Sequence, residues 1–157
     1  MSIVKLSSMS DDEIEELIGG QMICRIAFRG NEYPYLIPFQ YVLMDGTPYF
    51  HFTNYGKKMR LLEMDNRVCV QIESYRPDLS EYNFVAIRGT LKVVSDTVER
   101  AEAISRMAEV GKRRLSNKFL AAHGFEPEEG WSAFTPSKPL VIFKLEVAEK
   151  IGLKSPS

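Results

Sequence analysis

The chain has 157 residues, of which 45% are apolar and 26% charged; these values predict one folded domain over residues 1–157 and exclude intrinsic disorder. The formal net charge of −1 argues against a nucleic-acid-binding protein, and no apolar run approaches the roughly 20 residues of a membrane helix. Because the first residues lack the pattern of a secretory signal, we expect a cytoplasmic protein without a membrane partner.

The first predicted element is a short helix that begins at a capping box. Residues 10–13 read Ser-Asp-Asp-Glu, in which the serine hydroxyl and the glutamate carboxylate satisfy free amides of the helix start. Ile14, Leu17 and Ile18 follow at helical spacing and form one apolar face. Gly19-Gly20 ends the helix.

Three strands are predicted next. Apolar residues alternate with others over residues 22–29, and a second strand covers residues 33–44. Pro38 interrupts this second strand; because proline donates no hydrogen bond, it marks either a local break that leaves backbone groups for a ligand or a plain edge strand. Asp45-Gly46 predicts a tight hairpin into a third strand over residues 47–53.

A helix and two further strands follow. A turn at residues 54–56 leads into a predicted helix over residues 57–64, and alternation returns over residues 67–73. Residues 82–94 form a long strand in which Gly89 predicts a bulge or bend.

The C-terminal part is predicted to hold one long helical region and a last strand. Asp96 and Glu99 mark the helix start, a second helix or an extension covers residues 112–123, and the last strand covers residues 140–149. The buried stripe of the helix is predicted to consist of Val98, Ala101, Ile104, Met107 and Ala108.

These elements predict a mostly β fold with flanking helices. Six strands are joined largely by turns, and they do not alternate with helices as βαβ units require. An antiparallel sheet that closes on itself, with helices packed outside, is the arrangement that this order favours.

Few residue patterns indicate catalysis. Two histidines, His51 and His123, are too few for a catalytic metal centre, which usually takes three protein ligands, so we predict no metal site. His51 is interpreted as a sheet residue with satisfied hydrogen bonds. Cys24 and Cys69 lie in apolar strands without CxxC spacing and are interpreted as buried apolar side chains. We assign no catalytic residue.

The adjacent pair Lys57 and Lys58 is the best candidate for anion binding. It follows a strand-to-helix turn, where backbone amides attract anions, and two ammonium groups suit a phosphate. A plain charged helix face is the alternative that stays open. An apolar sheet surface beside two cations suits a ligand with a flat ring and an anionic tail. Trp131, in a loop, either anchors the core or covers such a ring.

The central stretch resembles a known family. It holds PYLIPFQYV, the DG turn, YFHFTNYGKK and DNRVCVQIE; the ends DDEIEELI and VIFKLEVAEKIGLKS also fit. These segments resemble the FMN-binding split-barrel proteins related to pyridoxamine 5′-phosphate oxidase, nearest to the short branch with the nitroimidazole-resistance reductases. The resemblance implies an antiparallel six-stranded split β-barrel. It also implies a homodimer with one FMN at each of two interface clefts.

The resemblance also implies roles for individual residues. The strand with Ile37, Pro38, Phe39 and Gln40 would line the isoalloxazine. At the other end, Thr53, Lys57 and Lys58 match positions that bind the FMN tail, and Trp131 matches a tryptophan that closes the site from the partner subunit.

Two departures separate this chain from the true oxidase. Ile37 and Val42 stand where the oxidase has a phosphate-binding arginine and a lysine, and the substrate-binding C-terminal segment does not follow. We therefore expect an FMN-dependent oxidoreductase that acts on a small molecule other than pyridoxamine phosphate. The missing cations leave room for the deazaflavin coenzyme or haem, with His51 or His123 as the haem ligand. A non-catalytic flavin or haem carrier, store or sensor is the alternative function.

Overall fold

The computed structural model describes residues 3–126 and 128–156, which form eight strands and four α-helices. The strands are β1 (Ser7–Ser8), β2 (Ile23–Phe28), β3 (Tyr35–Gln40), β4 (Val42–Met44), β5 (Thr47–Phe52), β6 (Arg67–Tyr75), β7 (Tyr82–Val93) and β8 (Val141–Lys154). The helices are α1 (Asp11–Gly20), α2 (Lys57–Met64), α3 (Thr97–Arg114) and α4 (Asn117–Ala121), with a 3₁₀ turn at Trp131–Ala133. None of the described helices is long and apolar enough to span a membrane.

The sheet curls into a split barrel, as predicted. Its strands are antiparallel throughout and run in the order β3-β2-β6-β7-β8-β5-β4, with β1 added beside β8. The two ends of this path, β3 and β4, are separated in the chain by Tyr41 alone. The sheet must therefore bend until its edges approach, and the rings of Phe39 on β3 and Phe52 on β5 stack across the gap at 4.6 Å.

The six predicted strands become eight because of two local differences. Ser7–Ser8 adds a short strand that the sequence did not indicate, and the predicted strand over residues 33–44 is two strands. The interruption falls at Tyr41 and not at Pro38, which pairs with Arg25 of β2. Proline lacks an N–H group, and it is tolerated there because β3 lies at the edge of the sheet. The side of β3 that faces away from β2 has no neighbouring strand that would need this donor. The edge-strand alternative is the one observed.

Two helix starts and one turn lie where local sequence patterns predict them. Ser10 and Glu13 form the capping box of α1, and the Asp96 side chain accepts a hydrogen bond from the Glu99 amide at the start of α3. Both residues of the β4–β5 turn have positive φ, 50° at Asp45 and 78° at Gly46, which matches a type I′ hairpin.

Two hydrophobic clusters pack on opposite sides of the sheet. One fills the barrel and includes Ile26, Phe50 and Val70, each fully buried. The other lies between the outer faces of β4, β5 and β8 and the helices α3 and α4. Since neighbouring strand residues point to opposite faces, Phe50 of β5 enters the barrel while His51 faces α4.

The predicted buried stripe of α3 is partly wrong. Ile104, Met107 and Ala108 are buried as expected, but Val98 is 74% exposed. The buried face includes Ala103 and Gly111 instead. Val98 lies on the solvent side of the first turn of α3, whereas Glu99 of the same turn bonds to Tyr49 and Lys144 on the sheet.

We expect the change Gly111→Ala to destabilise the protein by about 1–3 kcal/mol, the usual cost of overpacking a core. A Cβ at Gly111 would collide with the ring of Trp131, which packs directly on the helix. Chemical denaturation measures the loss. Gly19→Ala is the matched control, because Gly19 is also helical and a Cβ there meets no atom within 4 Å. A neutral or stabilising Gly111→Ala would contradict this packing.

Candidate functional site

Five of the eight predicted cofactor residues line one cavity at the gap between β3 and β5. The cavity has a volume of about 420 Å³, within the usual range for small-molecule sites. Ile37, Pro38, Phe39, Thr53 and Lys58 contribute to its wall. The strands bring these residues together because the split leaves both edges unpaired at this point.

Helix α4 and the turn after it cover the cavity from the other side. Phe119, Ala122 and His123 complete the lining together with Ile23 and His51. None of the ten lining residues is a carboxylate, so Lys58 is the one charged side chain in the wall when both imidazoles are neutral. The cavity therefore has an apolar body and a single cationic point.

Lys58 has no ion-pair partner among the described residues. Its side chain is half-buried, and no carboxylate in the described part of the chain forms an ion pair with it. Burial lowers the pKa of Lys58, which shows that the protein alone compensates its charge poorly. A ligand anion at this place would stabilise the charged form.

The start of α2 adds free backbone donors beside Lys58. Gly56 precedes the helix with φ of 99°, a conformation that favours glycine, and no side chain caps the first amides. The Thr53 hydroxyl donates to the carbonyl of Tyr55 at 3.2 Å, and Thr53 lines the same cavity as Lys58. Backbone amides at a helix start attract anions, and here they lie next to the unpaired ammonium group.

Lys57 does not line the cavity with Lys58. It is exposed, and its Nζ lies 4.9 Å from the centre of the Tyr35 ring, within the range of a cation–π contact. The two adjacent lysines thus have different surroundings, which their sequence did not indicate. The predicted role of Lys57 at a cofactor tail stays a prediction.

The structure brings together the two histidines, which are far apart in the sequence. The His51 and His123 rings are 5.6 Å apart between their centres. Burial, with smaller contributions from His123 and Lys58, lowers the pKa of His51 to about 3, and burial also lowers the pKa of His123. Both imidazoles are therefore neutral at pH 7. His51 lies in β5 as expected, and no described residue hydrogen-bonds to its ring, so its interpretation as a residue with satisfied hydrogen bonds stays a prediction.

Gln40 and Trp131 lie beyond the cavity, behind the imidazole pair. The Gln40 amide donates a long hydrogen bond of 3.5 Å to the Met107 carbonyl. Trp131 is 4% exposed and packs between Gly111 and Phe119, so in this chain it anchors the second cluster. Its predicted contact with a cofactor across a dimer stays a prediction.

The thiols offer no reactive group at this site. Both Cys24 and Cys69 are free, and burial raises the pKa of Cys24 to about 12. Among the described residues no group of three metal-binding side chains converges.

A second cavity lies on the outer face of the sheet. It measures about 520 Å³, and its lining includes Ala27, Cys69 and Ala148 together with the charged Arg29, Glu32, Arg67 and Arg88. On the same face Leu36 is 62% exposed, opposite Ala27 in the β2–β3 ladder. An exposed leucine beside a cavity with apolar lining residues is a feature of interaction surfaces.

The sequence matches the family model described as pyridoxamine 5′-phosphate oxidase over residues 10–130. The search of curated proteins gave no match.

Solved structures share the fold at low sequence identity. A FAD-binding protein from Mesorhizobium loti is 18% identical and superposes with a TM-score of 0.71 over 98% of each chain. A candidate 5-nitroimidazole antibiotic resistance protein from Bacteroides thetaiotaomicron is also 18% identical, with a TM-score of 0.65 over 98% of this chain and 92% of that chain. A heme-binding protein from Mycobacterium smegmatis is 17% identical, with a TM-score of 0.60 over 87% of this chain and 50% of that chain.

Proposed function

The chain belongs to the pyridoxamine 5′-phosphate oxidase family, and we propose that it is an FMN-dependent oxidoreductase acting on a small molecule. The observation that carries this proposal is Lys58: a partly desolvated cation, unpaired among the described residues, in a cavity without carboxylates. The FAD-binding protein from Mesorhizobium loti, which shares the fold, supports a flavin as the ligand class.

Different lining residues would bind the phosphate and the ring of the flavin. Lys58 and the first amides of α2 would hold the phosphate, and the apolar side chains of Ile37 and Phe39 would exclude water from one side of the ring. The flavin, when bound, supplies the electron transfer, while the protein positions it and tunes its electronics. His51 lines the same cavity and offers it a neutral hydrogen-bonding group.

The substrate is proposed to differ from pyridoxamine phosphate. Ile37 is half-buried against the barrel core, and Val42 is 6% exposed in the second cluster, so neither position presents a cation to the cavity. The cavity wall offers one cation, Lys58, which would already bind the FMN phosphate. A phosphorylated substrate would therefore find no second cation there. The lining instead favours a small, uncharged and planar molecule.

The absorption spectrum of the protein as purified tests the proposed cofactor. We expect flavin bands, and a released ligand with the mass of FMN. A protein that shows no flavin bands and takes up no added FMN would contradict the proposal.

Haem binding is a second candidate, supported by one observation. Two neutral imidazoles line the cavity, and a histidine nitrogen is the common axial ligand of haem iron. A haem-binding protein with this fold exists in Mycobacterium smegmatis. The same spectrum separates the two candidates, because bound haem gives a Soret band and flavin does not.

We also propose that two copies of the chain pair through the outer sheet face. Ile23 and Pro38 lie on that face and also line the ligand cavity, so a partner packed there would close the cavity. The face combines exposed Leu36 with the apolar cavity at Ala27.

Free Cys24 and Cys69 agree with a cytoplasmic location, where thiols stay reduced.

Replacing Leu36 by arginine is expected to convert the dimer to a monomer. Leu36 is 62% exposed in the single chain, so the change leaves the barrel core intact, while a charge at an apolar interface is costly to bury. Light scattering after size-exclusion chromatography measures the mass. Val98→Arg is the control, since Val98 is 74% exposed on α3, away from this face. A wild-type protein with the mass of one chain, or a dimeric Leu36→Arg variant, would refute this interface.

A further inference from the structure

Behind the ligand cavity lies a small polar recess in the interior of the protein. Its volume of about 10 Å³ corresponds to a single water-sized sphere. The polar side chains around it are Gln40, His51, His123 and Trp131, and three apolar side chains complete its wall. His51 and His123 also line the ligand cavity, so one imidazole pair separates the two spaces.

Trp131, which lines this recess, has an unused donor. Its Nε1 is buried and finds no acceptor among the described residues. Tryptophan N–H groups in protein interiors usually have a partner, because an unpaired buried donor loses its hydrogen bond to water. Among the fully buried side-chain nitrogen and oxygen atoms in the described part of the chain, this donor alone has no hydrogen-bond partner.

His123 contributes an acceptor, which follows from its other ring nitrogen. Nδ1 lies 3.0 Å from the Phe119 carbonyl, and a carbonyl oxygen can only accept, so Nδ1 carries the proton. Burial lowers the pKa of His123 and keeps the ring neutral at pH 7. Its Nε2 is therefore unprotonated and can accept a hydrogen bond.

Gln40 contributes a second acceptor. Its Nε2 is turned to the Met107 carbonyl at 3.5 Å, and its Oε1 makes no hydrogen bond to a described residue. The side chains that line this space of one water thus hold one unused donor and two unused acceptors. A buried water is normally held by two to four such groups.

We propose that the recess binds one ordered water molecule, which accepts the Trp131 Nε1 proton and donates to His123 Nε2 and Gln40 Oε1. This water makes Trp131 and Gln40 positioning residues for the imidazole pair. They hold His123 in its Nδ1–H tautomer and pack it against His51. His51 then keeps its own N–H and lone pair for the molecule in the ligand cavity, a step that rests on the proposed function.

Nuclear magnetic resonance of the ligand-free, ¹⁵N-labelled protein tests the recess. Trp131 is the only tryptophan, so its indole gives a single resonance. We expect a cross-peak between the indole proton and a long-lived water, and ¹⁵N shifts that show His123 protonated at Nδ1. Because no flavin is added, the result does not depend on whether the cavity binds one.

The variant Gln40→Met removes one acceptor and keeps the side-chain length. We expect it to shift the indole resonance and to weaken the water cross-peak. Gln21→Met is the matched control, since Gln21 is also half-buried and lies outside the recess. An indole proton without a water cross-peak in the wild type, or His123 protonated at Nε2, would overturn the proposal. The wild-type spectrum decides even if a variant fails to fold.

Discussion

The variant Lys58→Ala will bind FMN about 10- to 100-fold more weakly than the wild type, while its affinity for riboflavin stays nearly unchanged. A hydrogen bond to a charged group contributes about 1.5–3 kcal/mol, and each 1.4 kcal/mol is tenfold in affinity. Lys58 is the cation of the cavity wall, and riboflavin lacks the phosphate that it would bind. Fluorescence titration of both ligands measures the difference.

Lys57→Ala is the matched control for this prediction. Its Nζ lies over the Tyr35 ring at 4.9 Å, so its removal should cost only the long-range part of the attraction, a few-fold in FMN affinity. Equal losses of FMN and riboflavin in Lys58→Ala would mean that Lys58 shapes the cavity and does not bind the phosphate. A larger loss in Lys57→Ala than in Lys58→Ala would reverse the assignment.

The ligand-free protein will lose stability as the pH falls from 7 to 5, and His51 will account for about 2 kcal/mol of that loss. Its pKa is about 3 in the folded protein, against a usual value near 6.5 in an unfolded chain. The unfolded state therefore binds a proton in this pH window and the folded state does not, which favours unfolding as the pH falls.

The variant His51→Gln should flatten this dependence. Urea denaturation at pH 7, 6 and 5 gives the free energy of unfolding, and the comparison uses its slope with pH, so any fixed cost of the substitution cancels. His123 contributes in the same direction, because burial lowers its pKa as well, so a residual slope is expected. Carboxylates with lowered pKa, such as those of Glu13 and Glu99, titrate mainly below this window. An unchanged slope in His51→Gln would contradict the buried, neutral imidazole.

Elements governed by local chemistry could be predicted from the sequence. The capping box at Ser10 and the Asp45-Gly46 turn each involve only neighbouring residues, and the structure confirms both. Helix α2 also has its predicted bounds, Lys57–Met64. The order of the elements favoured an antiparallel sheet that closes on itself, and the resemblance to split-barrel proteins specified the form of that closure.

The surroundings of the site residues could not be predicted, because they depend on contacts between distant segments. His51 and His123 meet only because α4 folds over the outer face of β5. The different environments of Lys57 and Lys58 depend on the position of Tyr35 on another strand. The burial of Trp131 needs a glycine at position 111, twenty residues earlier in the chain.

Titration of the ligand-free protein with FMN, followed by quenching of the flavin fluorescence, measures whether the cavity binds this cofactor. We predict saturable binding of one FMN per chain, weakened in Lys58→Ala. Flavin fluorescence that stays unchanged throughout the titration would contradict the account.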